Sequence, residues 1–135
     1  MSIPDTMTAI AISIPGGPEV LQPVTMAVPD CADDQLLIRV AAAGVNGPDL
    51  AQRAGNYDPP PGASPLPGLE VAGEIVAVGR EVTGFSIGDR VMALANGGGY
   101  AEYVAVPHGQ VLPMANGPDV TSEDAVVELV ALDDA

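Results

Sequence analysis

A length of 135 residues accommodates one domain with a real core, and excludes a catalytic domain plus a separate dinucleotide-binding domain, each of which needs about 100 residues. Eighteen acidic residues against four arginines and no lysine give a formal charge of −14, a field that repels phosphate backbones and anionic membranes and so argues against nucleic-acid binding through a basic face. Apolar residues at 47% argue against disorder, while aromatics at 3% leave a core of Val, Leu, Ile and Ala without stacked rings.

In chain order, 1–6 reads as a polar leader, with the patterned sequence starting at Met7. Thr8–Ile14 is a β-branched run ended by the turn Pro15-Gly16-Gly17-Pro18, and Val20–Met26 is a second predicted strand, broken by Pro29. Gln35–Ala42 is a strong strand. Pro48–Ala54 is the one internal helix candidate, with Asp49 near its start and Gly55 after its end. Asp49 and Arg53 stand four residues apart, the spacing of an intrahelical ion pair, with an Arg reaching a cofactor phosphate as the alternative.

Five prolines in Tyr57–Pro67 forbid both helix and ladder, which predicts an exposed, semi-rigid loop. Strands are then expected at Val71–Val78, Arg90–Ala95 and Tyr100–Val106, with Gly97-Gly98-Gly99 as the turn of a tight hairpin. Thr121 or Ser122 caps a final predicted helix, whose first turn carries Glu123 and Asp124. Short strands at this spacing, cut by turns, predict an all-β sandwich or barrel.

Cys31 and His108 are the only residues of their types, so no intrachain disulfide and no thiolate cluster can form, and a protein-only zinc site would lean on carboxylates. His108 reads as an exposed loop residue. Cys31 reads as a plain thiol whose neighbours Asp30, Asp33 and Asp34 disfavour the thiolate. No apolar stretch approaches the ~20 residues of a membrane span, and no secretory signal opens the chain, so a cytoplasmic location is the default expectation. Neither dinucleotide nor P-loop glycine pattern occurs, so the chain by itself carries no phosphate cradle.

Six segments occur in one order: Ala43-Gly44-Val45-Asn46-Gly47-Pro48-Asp49, Gln52-Arg53-Ala54-Gly55-Asn56-Tyr57, Pro67-Gly68-Leu69-Glu70-Val71-Ala72-Gly73-Glu74, Val78-Gly79, Phe85-Ser86-Ile87-Gly88-Asp89-Arg90-Val91 and Gly98-Gly99-Tyr100-Ala101-Glu102-Tyr103. Together they resemble the N-terminal half of the medium-chain dehydrogenase/reductase superfamily, nearest the zeta-crystallin-like quinone oxidoreductases. The resemblance implies a mainly β fold, a GroES-like, partly open β-barrel with one or two short helices, normally followed by a Rossmann domain that binds NADPH. In the superfamily's zinc-dependent alcohol dehydrogenases a Cys and a His stand where this chain has Asn46 and Leu69, so no metal is expected. Glu70 is expected to brace a turn or a neighbouring Arg.

By the same resemblance, Asn46 contacts the nicotinamide-ribose edge of NADPH, provided a Rossmann domain is supplied, and Tyr57 lines the entrance for a small quinone or enone. From the residues alone, Asn46 is also a helix N-cap and Tyr57 also packs over the proline loop. Some family members carry a tyrosine where Ala51 stands, which leaves one side of the implied pocket unlined. No catalytic residue is assigned, because a quinone that aromatises on hydride transfer demands no strong acid. The implied organisation is a substrate-side domain at 7–125 and a tail at 126–135 where a Rossmann domain would begin, as in a truncated protein inactive without its cofactor domain. The alternative is a stand-alone, non-catalytic binding or assembly module. The apolar face of Val126, Val127, Leu129 and Val130 is then expected to dock on the barrel or to drive homo-oligomerisation.

Overall fold

The computed structural model describes residues 2–114. The final helix and the 126–135 tail lie outside the described residues.

Strand β1 (Thr6–Ile12) pairs antiparallel with β2 (Leu21–Ala27), setting Met7 opposite Met26. A second, all-antiparallel sheet holds β3 (Gln35–Ala43), β4 (Glu70–Val78), β5 (Arg90–Leu94), β6 (Tyr103–Pro107) and β7 (Val111–Pro113) in the order β6-β3-β4-β5-β7. Register shifts after Leu37 and after Val40 bend β3 against β4, and such irregularities curl a sheet toward a half-barrel. The two sheets are stitched where Ala9 bridges Ala101 and the Ile10 N–H donates to the Tyr100 carbonyl at 2.8 Å. The expected mainly β, GroES-like architecture is therefore the observed one.

Alternation along the strands sends Leu36, Ile38, Val71, Ile75, Val91, Val104 and Val106 into one cluster, all essentially without exposure. The low aromatic content is met as expected: β-branched and leucine side chains fill this core, and Phe85 only packs on its edge. A second cluster of Met7, Ala9, Leu37, Leu66 and Tyr103 joins β1 to the other face of β3 and β6.

Helix α1 (Gly47–Ala54) follows β3. Asn46 is extended at its N-cap, Pro48 sits in the first turn where its missing N–H costs nothing, and Gly55 ends it at φ +87°.

Three expectations need correction. Gly97-Gly98-Gly99 do not close a hairpin, because β5 and β6 are not neighbours: β6 pairs with β3, while β5 lies between β4 and β7. Gly97 and Gly98 do take positive φ, +92° and +84°, but the segment runs beside the end of the proline loop. There Gly98, Gly99 and Tyr100 donate to the carbonyls of Leu66, Gly68 and Pro67 at 2.9, 3.0 and 3.1 Å. The proline loop is consequently not exposed throughout, since Leu66, Pro67 and Gly68 are buried under this contact. A side chain at Gly68, where φ is +108°, would meet the Tyr100 backbone nitrogen at 2.5 Å. Finally, β7 is a strand where the sequence predicts none, because three residues, the last of them a proline, carry too little pattern.

Candidate functional site

The N-terminus of α1, the start of β4 and the loop before β6 meet around two buried carboxylates. Asp49 is 5% exposed and accepts three hydrogen bonds: from the Asn46 N–H at 3.0 Å, the Gly68 N–H at 3.2 Å and the Tyr100 hydroxyl at 2.7 Å. The first of these is the reciprocal half of a capping box, in which the third helical residue reaches back to the N-cap amide. An anion also suits the positive end of the helix dipole.

The expected Asp49–Arg53 ion pair is absent. The helix turns Asp49 inward, and Arg53 Nε instead donates to the Gly16 carbonyl at 3.2 Å while the Gly16 N–H donates to the Arg53 carbonyl at 2.9 Å. Burial of Asp49 with three donors outweighs an exposed helical pair that contributes only about 0.3–0.5 kcal/mol.

Glu70, 1% exposed, accepts from Asn46 Nδ2 at 2.9 Å through Oε1. Its role is thus bracing, as expected, directed at the strand-to-helix corner. The carboxylate fits only because residue 44 is a glycine: a β-carbon there would collide with the Glu70 carboxylate. Asn46 occupies the N-cap and turns its side-chain amide toward Glu70, so the capping position and a polar role coincide in one residue.

Burial, then the hydrogen bond to Asp49 and the charges of Asp49 and Glu70, hold the Tyr100 phenol protonated far above its ordinary range. Tyr100 went unrecognised at the sequence level. The sequence marks Asn46 as an N-cap, but the return bond from Asp49 is found only in the structure, and no local pattern announces a partner 51 residues away.

Tyr57 is half-buried in a hollow of about 60 Å³ with Gln52, Pro59, Leu69 and Ala95 in its wall. Asn46 does not line this hollow. The two residues connect through Leu69-Glu70, since Leu69 faces Tyr57's hollow and Glu70 holds Asn46. A larger groove of about 430 Å³ adjoins it, running between the β1–β2 ribbon, the proline loop and β6.

His108 is exposed in a short turn before β7, as expected. Cys31 is half-buried, with its thiol donating to the Gln35 carbonyl at 3.3 Å. Burial raises its pKa and the Leu37 N–H partly offsets that, so desolvation, and not the neighbouring aspartates, makes the thiolate unfavourable. Among the described residues no three His, Cys, Asp or Glu lie close enough to hold a metal ion. Among them, too, no helix is long and apolar enough to cross a membrane.

Residues 32–116 match the family model of the alcohol dehydrogenase GroES-like domain. The chain belongs to that family. The GroES-like domain is 48% identical over 99 residues to a quinone oxidoreductase of Lama guanicoe, a match covering 72% of this chain and 30% of that protein. It superposes on the crystal structure of human synaptic vesicle membrane protein VAT-1 homolog-like protein with a TM-score of 0.81 at 39% identity, over 90% of this chain and 38% of that one. A mycobacterial structure complexed with NADPH matches at TM-score 0.73 and 37% identity, over 87% of this chain and 36% of that one. The GroES-like domain thus spans about a third of the length of these relatives, and its family resemblance is to quinone oxidoreductases and VAT-1 proteins together.

Proposed function

We propose that residues 7–125 form the substrate-side domain of an NADPH-dependent quinone or enone oxidoreductase that works by direct hydride transfer without zinc. The observation that carries this reading is the Asn46–Glu70 hydrogen bond beside Leu69. At the two positions where zinc-dependent relatives present a thiolate and an imidazole, this domain has an amide bonded to a buried carboxylate and an isobutyl group in the wall of Tyr57's hollow. Neither side chain substitutes for a zinc ligand.

Asn46 fits a contact with the ribose edge of a nicotinamide cofactor. It is half-exposed, and an amide with one N–H given to Glu70 keeps a second N–H to offer. The end of α1 does not fit a phosphate, because Asp49 already occupies its positive pole. Gripping the phosphates is therefore assigned to a partner domain. When bound, the cofactor supplies the hydride. Tyr57 and Leu69 wall the acceptor ring, fix its distance and keep water from it, which is the protein's share of such a reaction. No side chain here is given a proton to transfer.

The test joins the domain to the dinucleotide-binding domain of a quinone oxidoreductase relative and follows duroquinone-dependent oxidation of NADPH. Asn46→Ala is expected to raise the KM for NADPH, Tyr57→Ala to raise the KM for the quinone, and a chelator to change neither. Loss of turnover on chelation would overturn the zinc-free reading.

A further inference from the structure

We propose that the acceptor molecule carries an apolar tail, and that this tail lies in the groove beneath the proline loop. The inference rests on the substrate-side reading above and adds the class of quinone or enone. The hollow at Tyr57, about 60 Å³, is far below the roughly 300–1,000 Å³ of small-molecule sites. The adjoining groove, about 430 Å³, falls within that range. Pro60, Ser64, Asn96 and Gly97 belong to the walls of both, so a ligand whose ring enters at Tyr57 can extend into the groove along these residues.

The chemistry of the groove selects what extends there. On a chain of net charge −14, none of its lining residues is charged. Its floor is made by Met7, Leu66 and Tyr103, which are core residues 4–8% exposed, and Met26 stands at its rim, 37% exposed. Methionine is unbranched and adapts its shape, which suits a flexible aliphatic or isoprenoid chain better than a rigid second ring. A charged tail would lose its water there without a charged partner, since the polar side chains of the lining, Gln35, Ser64 and Asn96, are all neutral.

Calorimetric titration of the 135-residue chain with three probes tests this: duroquinone (ring, no long tail), decylubiquinone (ring and tail) and n-decanol (tail, no ring). Decylubiquinone is expected to bind at least tenfold tighter than duroquinone, because each buried methylene adds favourable transfer free energy. Met26→Glu is expected to bring that ratio close to one, and Met26→Leu to restore it, with unchanged circular dichroism showing that both variants fold. Equal affinities of wild type for the two quinones would overturn the tail groove and leave the quinone reading standing. Binding of decylubiquinone and n-decanol alike, with none of duroquinone, would overturn the quinone reading. Binding of none of the three overturns both, and a tail preference that survives Met26→Glu overturns the groove.

Discussion

The Tyr100 hydroxyl donates to Asp49 Oδ2 at 2.7 Å, tying the loop before β6 to the first turn of α1 across 51 residues. Because Asp49 also accepts from Asn46 and Gly68, one carboxylate fixes the corner on which Asn46 is mounted. Tyr100→Phe is expected to cost about 1.5–3 kcal/mol, the worth of one hydrogen bond to a charged acceptor. Asp49→Ala strands three donors and is expected to cost more, about 3 kcal/mol or above. Urea unfolding of the two variants measures the order, and an Asp49→Ala loss smaller than that of Tyr100→Phe would contradict the geometry.

The same bond makes stability depend on alkaline pH. Folding raises the Tyr100 pKa, through burial first and the neighbouring carboxylates next. The native state therefore holds this proton more tightly than the unfolded chain. Its contribution is complete below the unfolded phenol value of about 10 and is lost as pH rises toward the native one. Urea midpoints measured on either side of about pH 10 are expected to fall for wild type and to fall less for Tyr100→Phe.

Two glycines three residues apart should respond oppositely to alanine. At Gly44 the new methyl group collides with the Glu70 carboxylate, so Glu70 must leave its bond to Asn46, at an expected cost of about 2–3 kcal/mol. At Gly47, the first residue of α1, a β-carbon meets nothing within 4 Å, and alanine is expected to stabilise by about 0.5 kcal/mol. Thermal melts of the two variants separate the cases.

Cys31 should be slow to react. Burial disfavours its thiolate and the thiol is held on the Gln35 carbonyl. Modification by a disulfide reagent at mildly alkaline pH is expected to be at least tenfold slower in the folded protein than in urea. Comparable rates would show that the site is open.

Elemental analysis of the purified chain is expected to find no stoichiometric zinc, because Asn46 offers only a neutral amide and Leu69 no donor atom at all. The double substitution Asn46→Cys with Leu69→His, beside the buried Glu70, is expected to gain zinc affinity measurable by competition with a chromogenic chelator.

Much of this domain is legible in its amino-acid sequence. Short, largely apolar runs such as Gln35–Ala42 and Val71–Val78, rich in Val, Ile and Leu and bounded by turn residues, specify strands locally, because propensity and chain breakers act within a few residues. The identities of Asn46 and Leu69 likewise fix which donors are present, whatever the fold does with them. Strand neighbours and buried partners depend instead on the path of the whole chain. Gly97-Gly98-Gly99 has the composition of a hairpin turn, yet it lies against Leu66–Gly68 because β5 and β6 go to different neighbours. Asp49 has the spacing of an exposed ion pair with Arg53, yet α1 turns it toward Gly68 and Tyr100. Local pattern determined which elements form and which chemistry they carry. Only the tertiary structure decided which faces were buried, and burial is what turned a helical carboxylate and a distant phenol into the frame of the site.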